Sequence, residues 1–200
     1  MERHRLHFLC IQEHRLKGAG KIFDAQSWAQ KAGLQLFTGE AIATEATGPS
    51  ATSAGTGVLA AAYIGAKAFD LKEMAQEVVD GFGGSLTGVS VEWILARLQT
   101  VKLEAGFKHI FALVSIYGLH GIGVSGPNVI LFEVLAPALQ QIGLPWAVGG
   151  DWNFKLSELA GSGWLNVVDG AEVLQVAKLG DVASECRADD QFAFLVQSAV

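Results

Sequence analysis

Two short acidic motifs stand out because each closes an apolar run. Residues 6–11 (Leu-His-Phe-Leu-Cys-Ile) end in Gln12-Glu13, and residues 144–148 end in Gly149-Gly150-Asp151-Trp152-Asn153. Carboxylates at the C-terminal ends of strands sit where α/β folds collect ligands and metals. Such a pair offers one hard oxygen ligand for a divalent cation and one base to take a proton from water. An amide beside the base, here Asn153, can donate to a phosphate oxygen while adding no charge. The plainer explanation is that a strand-end Asp or Glu caps a turn. Tyr117, which closes the apolar run 109–117, suits packing as well as chemistry.

Three other patterns compete for attention. Gly121-Ile122-Gly123-Val124-Ser125-Gly126 has dinucleotide-fingerprint spacing between a strand and a helix, with Asp151 downstream. It lies late in the chain, however, and any strand that turns into a helix tends to collect glycine. His4, His7, Cys10 and His14 have the spacing of a helical zinc-binding face. On a strand, His7 and Cys10 point to opposite sides, which argues against a shared ion. Asp70, Glu73, Glu77 and Asp80 read as a solvated helix face without chemistry.

The elements that must position these groups follow from pattern and punctuation. Strands are expected at 6–11, 34–37, 57–64, 109–117, 144–148 and 192–196. Residues 89–98 alternate through Val89, Val91, Trp93, Leu95 and Arg97, the pattern of a strand with one wet face. Helices are expected at 22–32, stopped by Gly33, and at 127–141, opened by Pro127, with a short helix or irregular excursion at 71–79. Residues 41–55 are a loop rich in Ala, Thr, Ser and Gly, and residues 102–108 turn the chain. Mixed strands, some adjacent and some separated by helices, predict an α/β sandwich in which the strands starting at Leu6, His109 and Leu144 are central.

Composition narrows the classes further. The chain has 200 residues, half of them hydrophobic and 17% charged, enough to build one large core over 1–200. A net charge of -6 argues against a broad basic face for nucleic acid, yet leaves room for a local metal-assisted phosphate site. No segment reaches the roughly 20 apolar residues a membrane span needs. Cys10 and Cys186 form no disulfide framework and predict no disulfide-linked partner. With no secretory signal evident, the expected setting is intracellular, cytoplasm or nucleus.

In order along the chain, these pieces resemble the endonuclease/exonuclease/phosphatase superfamily of metal-dependent phosphodiesterases. The segments that carry the resemblance are Phe8-Leu9-Cys10-Ile11-Gln12-Glu13-His14-Arg15-Leu16, Gly55-Thr56-Gly57-Val58-Leu59 and Val114-Ser115-Ile116-Tyr117-Gly118. Asn128 with its helix, the run from Trp146 to Asn153, and Asp190-Gln191-Phe192-Ala193-Phe194-Leu195-Val196 continue it. The wording looks most like the endonuclease-like domains of retrotransposon-derived proteins.

The resemblance implies a four-layer, DNase I-like sandwich and a magnesium or manganese site at Glu13. It implies that Asp151 activates or orients water, that Asn153 and Tyr117 hold the phosphate, and that Asp190, or the adjacent Asp189, orients a catalytic histidine. The substrate class would be nucleic acid or a smaller phosphate ester. The family's opening strand, with its metal-holding Asn, would fall before Met1, and its closing Asp-His pair after Val200, so the sandwich is expected to be incomplete at both termini. None of the five histidines follows Asp190. The expected function is therefore a degenerate or weakly active phosphodiesterase. The alternatives are an inactive remnant acting through protein contacts and a dinucleotide-binding protein using residues 121–126.

Overall fold

Residues 111–117 are apolar at nearly every position, which a strand sustains only when both of its faces are covered. The computed structural model describes residues 7–43, 52–82, 88–104, 110–168, 171–175 and 192–197. In chain order come β1 (Phe8–Ile11), α1 (Ala19–Lys31), β2 (Leu34–Thr38), β3 (Ile42–Ala43), β4 (Thr52–Ser53) and β5 (Gly57–Ala61). Next are β6 (Gly65–Phe69), α2 (Lys72–Gly81), α3 (Val91–Leu95), β7 (Leu98–Glu104), β8 (Phe111–Tyr117) and α4 (Pro127–Ile142). β9 (Trp146–Asp151), α5 (Leu156–Gly161), α6 (Trp164–Val167), β10 (Ala171–Gln175) and β11 (Phe192–Gln197) complete the order.

The strands form two main sheets. One is antiparallel with order β1-β5-β2, and the other has order β10-β11-β9-β8-β7-β6. Within the larger sheet β8 and β9 run parallel, joined by α4, and the other described pairs are antiparallel. On β8, Leu113 and Phe111 meet Val58, Ala60, Phe8 and Cys10 of the smaller sheet. Ala112, Val114 and Ile116 turn the other way, onto Ile130, Leu131, Val134 and Leu135 of α4 and onto α2 and α3. Ser115 is the polar exception on the inner face. Its hydroxyl accepts from Gln12 Nε2 at 2.9 Å and donates to the Ile11 carbonyl at 3.2 Å, tying the two sheets together where β1 ends. This is the expected two-sheet α/β sandwich with helices outside.

Several expectations need correction. Residues 89–98 are not a strand: Val91–Leu95 is the short helix α3, and β7 starts only at Leu98. Ser90 decides this, because its side chain accepts from the Trp93 backbone N–H at 3.2 Å and caps the turn. Val91 and Ile94, three apart, are then buried together, a helical spacing that the five alternating positions concealed. Lys102 to Glu104 belong to β7 and not to a turn. β1 is central to neither sheet; it is an edge of the smaller one.

The loop expected at 41–55 contains the two-residue ladder β3–β4. The apolar stretch after Gly57 is two strands in different sheets, with the chain crossing over between β5 and β6. α5, α6 and β10 were not anticipated at all. β9 also runs through Gly149 and Gly150 to Asp151 where a stop was expected. A Cβ at Gly150 would collide with the Ile116 carbonyl oxygen, so the glycine lets β8 and β9 lie close and does not end the strand. Among the described residues, no helix is long and apolar enough to cross a membrane.

Candidate active site

The parallel register sets Tyr117 beside Asp151 at the shared C-terminal end of β8 and β9. Beyond that pair the segments that follow β8 and β9 stay in contact. The Gly118 N–H donates to the Asp151 carbonyl at 2.9 Å, and a Cβ at Gly118 would strike the Trp152 carbonyl. Asn153 donates from Nδ2 to the Gly118 carbonyl at 2.9 Å, and its N–H donates to Asp151 Oδ1 at 3.2 Å. Trp152 and Phe154 turn the opposite way, into an aromatic cluster with Phe132 and Trp164. The Asp-x-Asn spacing therefore puts two polar groups in the cleft and uses the residue between them as an anchor.

Glu13 reaches the same cleft from the end of β1. The Tyr117 phenol is pushed up to about 12, first by burial and then by its hydrogen bond to Glu13 and that carboxylate's charge, so it remains a donor at neutral pH. The Asp151 carboxyl is raised, chiefly by burial and further by Glu13, against the lowering effect of its Asn153 hydrogen bonds and of His120. Arg15 Nη2 lies 3.5 Å from Glu13 Oε1, a solvent-exposed pair of little energetic weight.

Arg97 completes the electrostatics and was not foreseen as a site residue. It is 3% exposed, its guanidinium lies 4.8 Å from the Trp93 ring centroid and 5.0 Å from that of Tyr117, and Nη1 donates to the Tyr117 carbonyl at 3.3 Å. Its Nε has no hydrogen-bond partner, and burial lowers its pKa against the opposing pull of Tyr117 and Glu13. The available signal was a single charge inside the apolar run Ile94-Leu95-Ala96-Arg97-Leu98. His120 acts electrostatically on Asp151 as well. Asp190 and Asp189 lie outside the described residues.

A half-buried carboxyl, Asp151, whose ionisation is made costlier by burial and by a neighbouring carboxylate suits a divalent cation. Magnesium takes one or two carboxylates and leaves the remaining positions to water, which fits Glu13 with Asp151 nearby. Among the described residues, no group of three or more His, Cys, Asp or Glu is placed to hold a metal ion, so a cation here would rest on Glu13, Asp151 and water. The histidine–cysteine pattern disperses in space. His7 packs edge-on against Tyr63, Cys10 points inward with its thiol pushed up to about 12 by burial, and His14 meets Thr38. His4 lies outside the described residues.

The glycine motif has a structural explanation. Asn128, fully buried at the start of α4, accepts from the Leu119 N–H at 2.7 Å and donates to the carbonyls of Leu119 and Gly123 at 3.0 and 2.8 Å. Gly123 also faces Glu158, whose Oε2 would lie 2.5 Å from a Cβ there. A carboxylate against the loop repels the phosphates that a dinucleotide would bring.

No family model matches the chain, and no curated protein matches it either. Solved structures do. The human Nocturnin catalytic domain with bound sulfate anion aligns at TM-score 0.57 and 14% identity, covering 96% of this chain and 69% of that one. Truncated Caenorhabditis elegans TDP2 aligns at TM-score 0.54 and 12% identity, over 97% of this chain and 72% of that one. D. rerio TDP2 complexed with single strand DNA product aligns at 0.50 and 12%, over 96% and 71%. The fold is DNase I-like. At these identities the likeness is one of architecture, and the chemistry has to be argued from the cleft.

Proposed function

We propose that the cleft is a magnesium- or manganese-dependent phosphodiesterase site, with phosphate esters of nucleic acid as its substrate class and slow turnover. The convergence of Glu13, Tyr117 and Asp151 at neighbouring strand ends carries this reading. The finer kinship, to endonuclease domains of retrotransposon-derived proteins, rests on the wording around Gln12-Glu13 and Gly150-Asp151-Trp152-Asn153.

Glu13 would hold the cation, and a bound cation would polarise a phosphate oxygen. Asp151 orients the attacking water and takes its proton. Asn153 has one amide hydrogen committed to the Gly118 carbonyl and a second to give to the phosphate. Tyr117, protonated at neutral pH, gives another. Asp190 is assigned the orienting acid. Turnover is slow because, apart from the metal, the charge building on the phosphate meets two neutral donors, while the nearby side-chain cation, Arg97, is stacked on the Tyr117 ring.

Mn2+ titration followed by electron paramagnetic resonance, with plasmid nicking alongside, tests this reading. Wild type should bind weakly and nick slowly. Glu13→Gln should lose binding, and Asp151→Ala should lose nicking. Equal Mn2+ affinity in Glu13→Gln overturns the assignment. A second reading, a non-catalytic fold acting through protein contacts, draws support from Phe23 and Trp28, each 67% exposed on α1. Metal binding without any nicking would favour it.

A further inference from the structure

The loop that carries Glu13 bends through two left-handed residues, Glu13 at φ 54° and Arg15 at φ 56°, and neither is glycine. The side chain between them holds that bend. His14 Nδ1 accepts from the Leu16 N–H at 3.0 Å, so the ring proton sits on Nε2, where it donates to Thr38 Oγ1. The Thr38 hydroxyl in turn donates to the Thr56 carbonyl at 2.9 Å. The imidazole lies against Gly55, where an added Cβ would fall 2.5 Å from Cε1. Main-chain bonds from His14 N–H to the Gly55 carbonyl, at 3.2 Å, and from Arg15 N–H to the Ala54 carbonyl, at 3.4 Å, run beside it. One ring thus fastens three segments together: the Glu13 loop, the end of β2, and residues 54–56.

We propose that His14 is the positioning residue of the site, its imidazole setting the backbone bend that aims the Glu13 carboxylate at Tyr117 and Asp151. The inference rests on the reading of Glu13 as the metal-holding carboxylate. Both ring nitrogens are already engaged, so His14 acts through Glu13 and is not itself a ligand. The glycine at position 55 and the hydroxyl at position 38 are the features of the fold that make room for the ring and orient it.

Three variants of the whole chain test this. His14→Phe keeps a ring and loses both hydrogen bonds, His14→Asn keeps an acceptor for the Leu16 N–H, and Thr38→Val removes the hydroxyl at Nε2. The first readout is amide hydrogen exchange without metal. In His14→Phe the Leu16 and Arg15 amides should exchange about tenfold faster, while the amides of β8 and β9 keep their protection. The second is Mn2+ affinity, expected to fall about tenfold in His14→Phe, less in Thr38→Val, and to recover to within about threefold in His14→Asn.

Faster exchange throughout β8 and β9 would make the ring a general filler and overturn the proposal. So would unchanged Leu16 exchange and unchanged affinity in His14→Phe, or no rescue by His14→Asn. If wild type binds no Mn2+, the metal reading of Glu13 falls, and the exchange measurement alone decides whether His14 sets the bend.

Discussion

Asp151, as the proposed base, would have to ionise in a place that penalises its charge. Burial and the neighbouring Glu13 raise its carboxyl above the ordinary value, so the stability it contributes is present in acid and is lost as pH rises through the raised folded value. Asp151→Asn keeps an acceptor for the Asn153 N–H and discards the charge. The variant should melt a few degrees above wild type at about pH 7, and the gap should close below about pH 4. Melting curves at the two pH values check this, and a gap that widens in acid would reverse the sign. Glu13, Asp151 and Asn153 were legible beforehand because a strand-end carboxylate is visible as a break in an apolar run. Arg97 was not, because Trp93 and Tyr117, which sandwich its guanidinium, come from different elements. A stacking site shared by two elements leaves no local pattern.

Among the elements, β8, β9 and α4 announce themselves, since apolar runs and a first-turn proline (Pro127) leave strong local signals. α3 does not. Five residues are too few for the helical and alternating patterns to separate, and the deciding bond is a serine cap. Ser90→Ala should cost about 1 kcal/mol in urea denaturation. The glycines of the Gly-Gly-Asp motif matter for separation between strands. Gly150→Ala should destabilise by roughly 3 kcal/mol or more, because a backbone carbonyl of β8 occupies the space. Gly20→Ala in α1, where nothing lies within 4 Å, should instead stabilise by about 0.5–1 kcal/mol. Equal effects for the two would show that the strand spacing relaxes freely.

At the scale of the whole molecule, the cleft draws on both sheets. Glu13 arrives from the smaller one, and Tyr117 and Asp151 from the larger. Gln12 and Ser115 join the sheets just behind it, and the chain itself crosses between them after β5. A cation at Glu13, as proposed, would therefore stabilise the association of the sheets as well as a loop. Mn2+ at a hundredfold excess over its Kd should raise the wild-type melting temperature by about 5–10 °C and leave Glu13→Gln unchanged. Scanning calorimetry with and without metal measures this, and an equal rise in the variant would place the ion elsewhere. The crossover of strands from one sheet to the other was hidden in the sequence, because the turn Ala62-Tyr63-Ile64 has neither Gly nor Pro and reads as a continuation of the apolar run from Gly57.

The aromatic cluster behind the cleft has an optical consequence. Phe132 lies 6.2 Å from Trp152, nearly parallel to it, and 5.0 Å from Trp164, and Trp152 is joined on both sides along the chain to Asp151 and Asn153. An indole fixed so rigidly among other rings gives strong, structured near-ultraviolet circular dichroism. Small rotations of the Asp151–Asn153 backbone pass directly into its orientation. Occupation of the cleft should therefore change the ellipticity in the tryptophan band, giving a label-free titration signal to which the solvent-facing Trp28 contributes little.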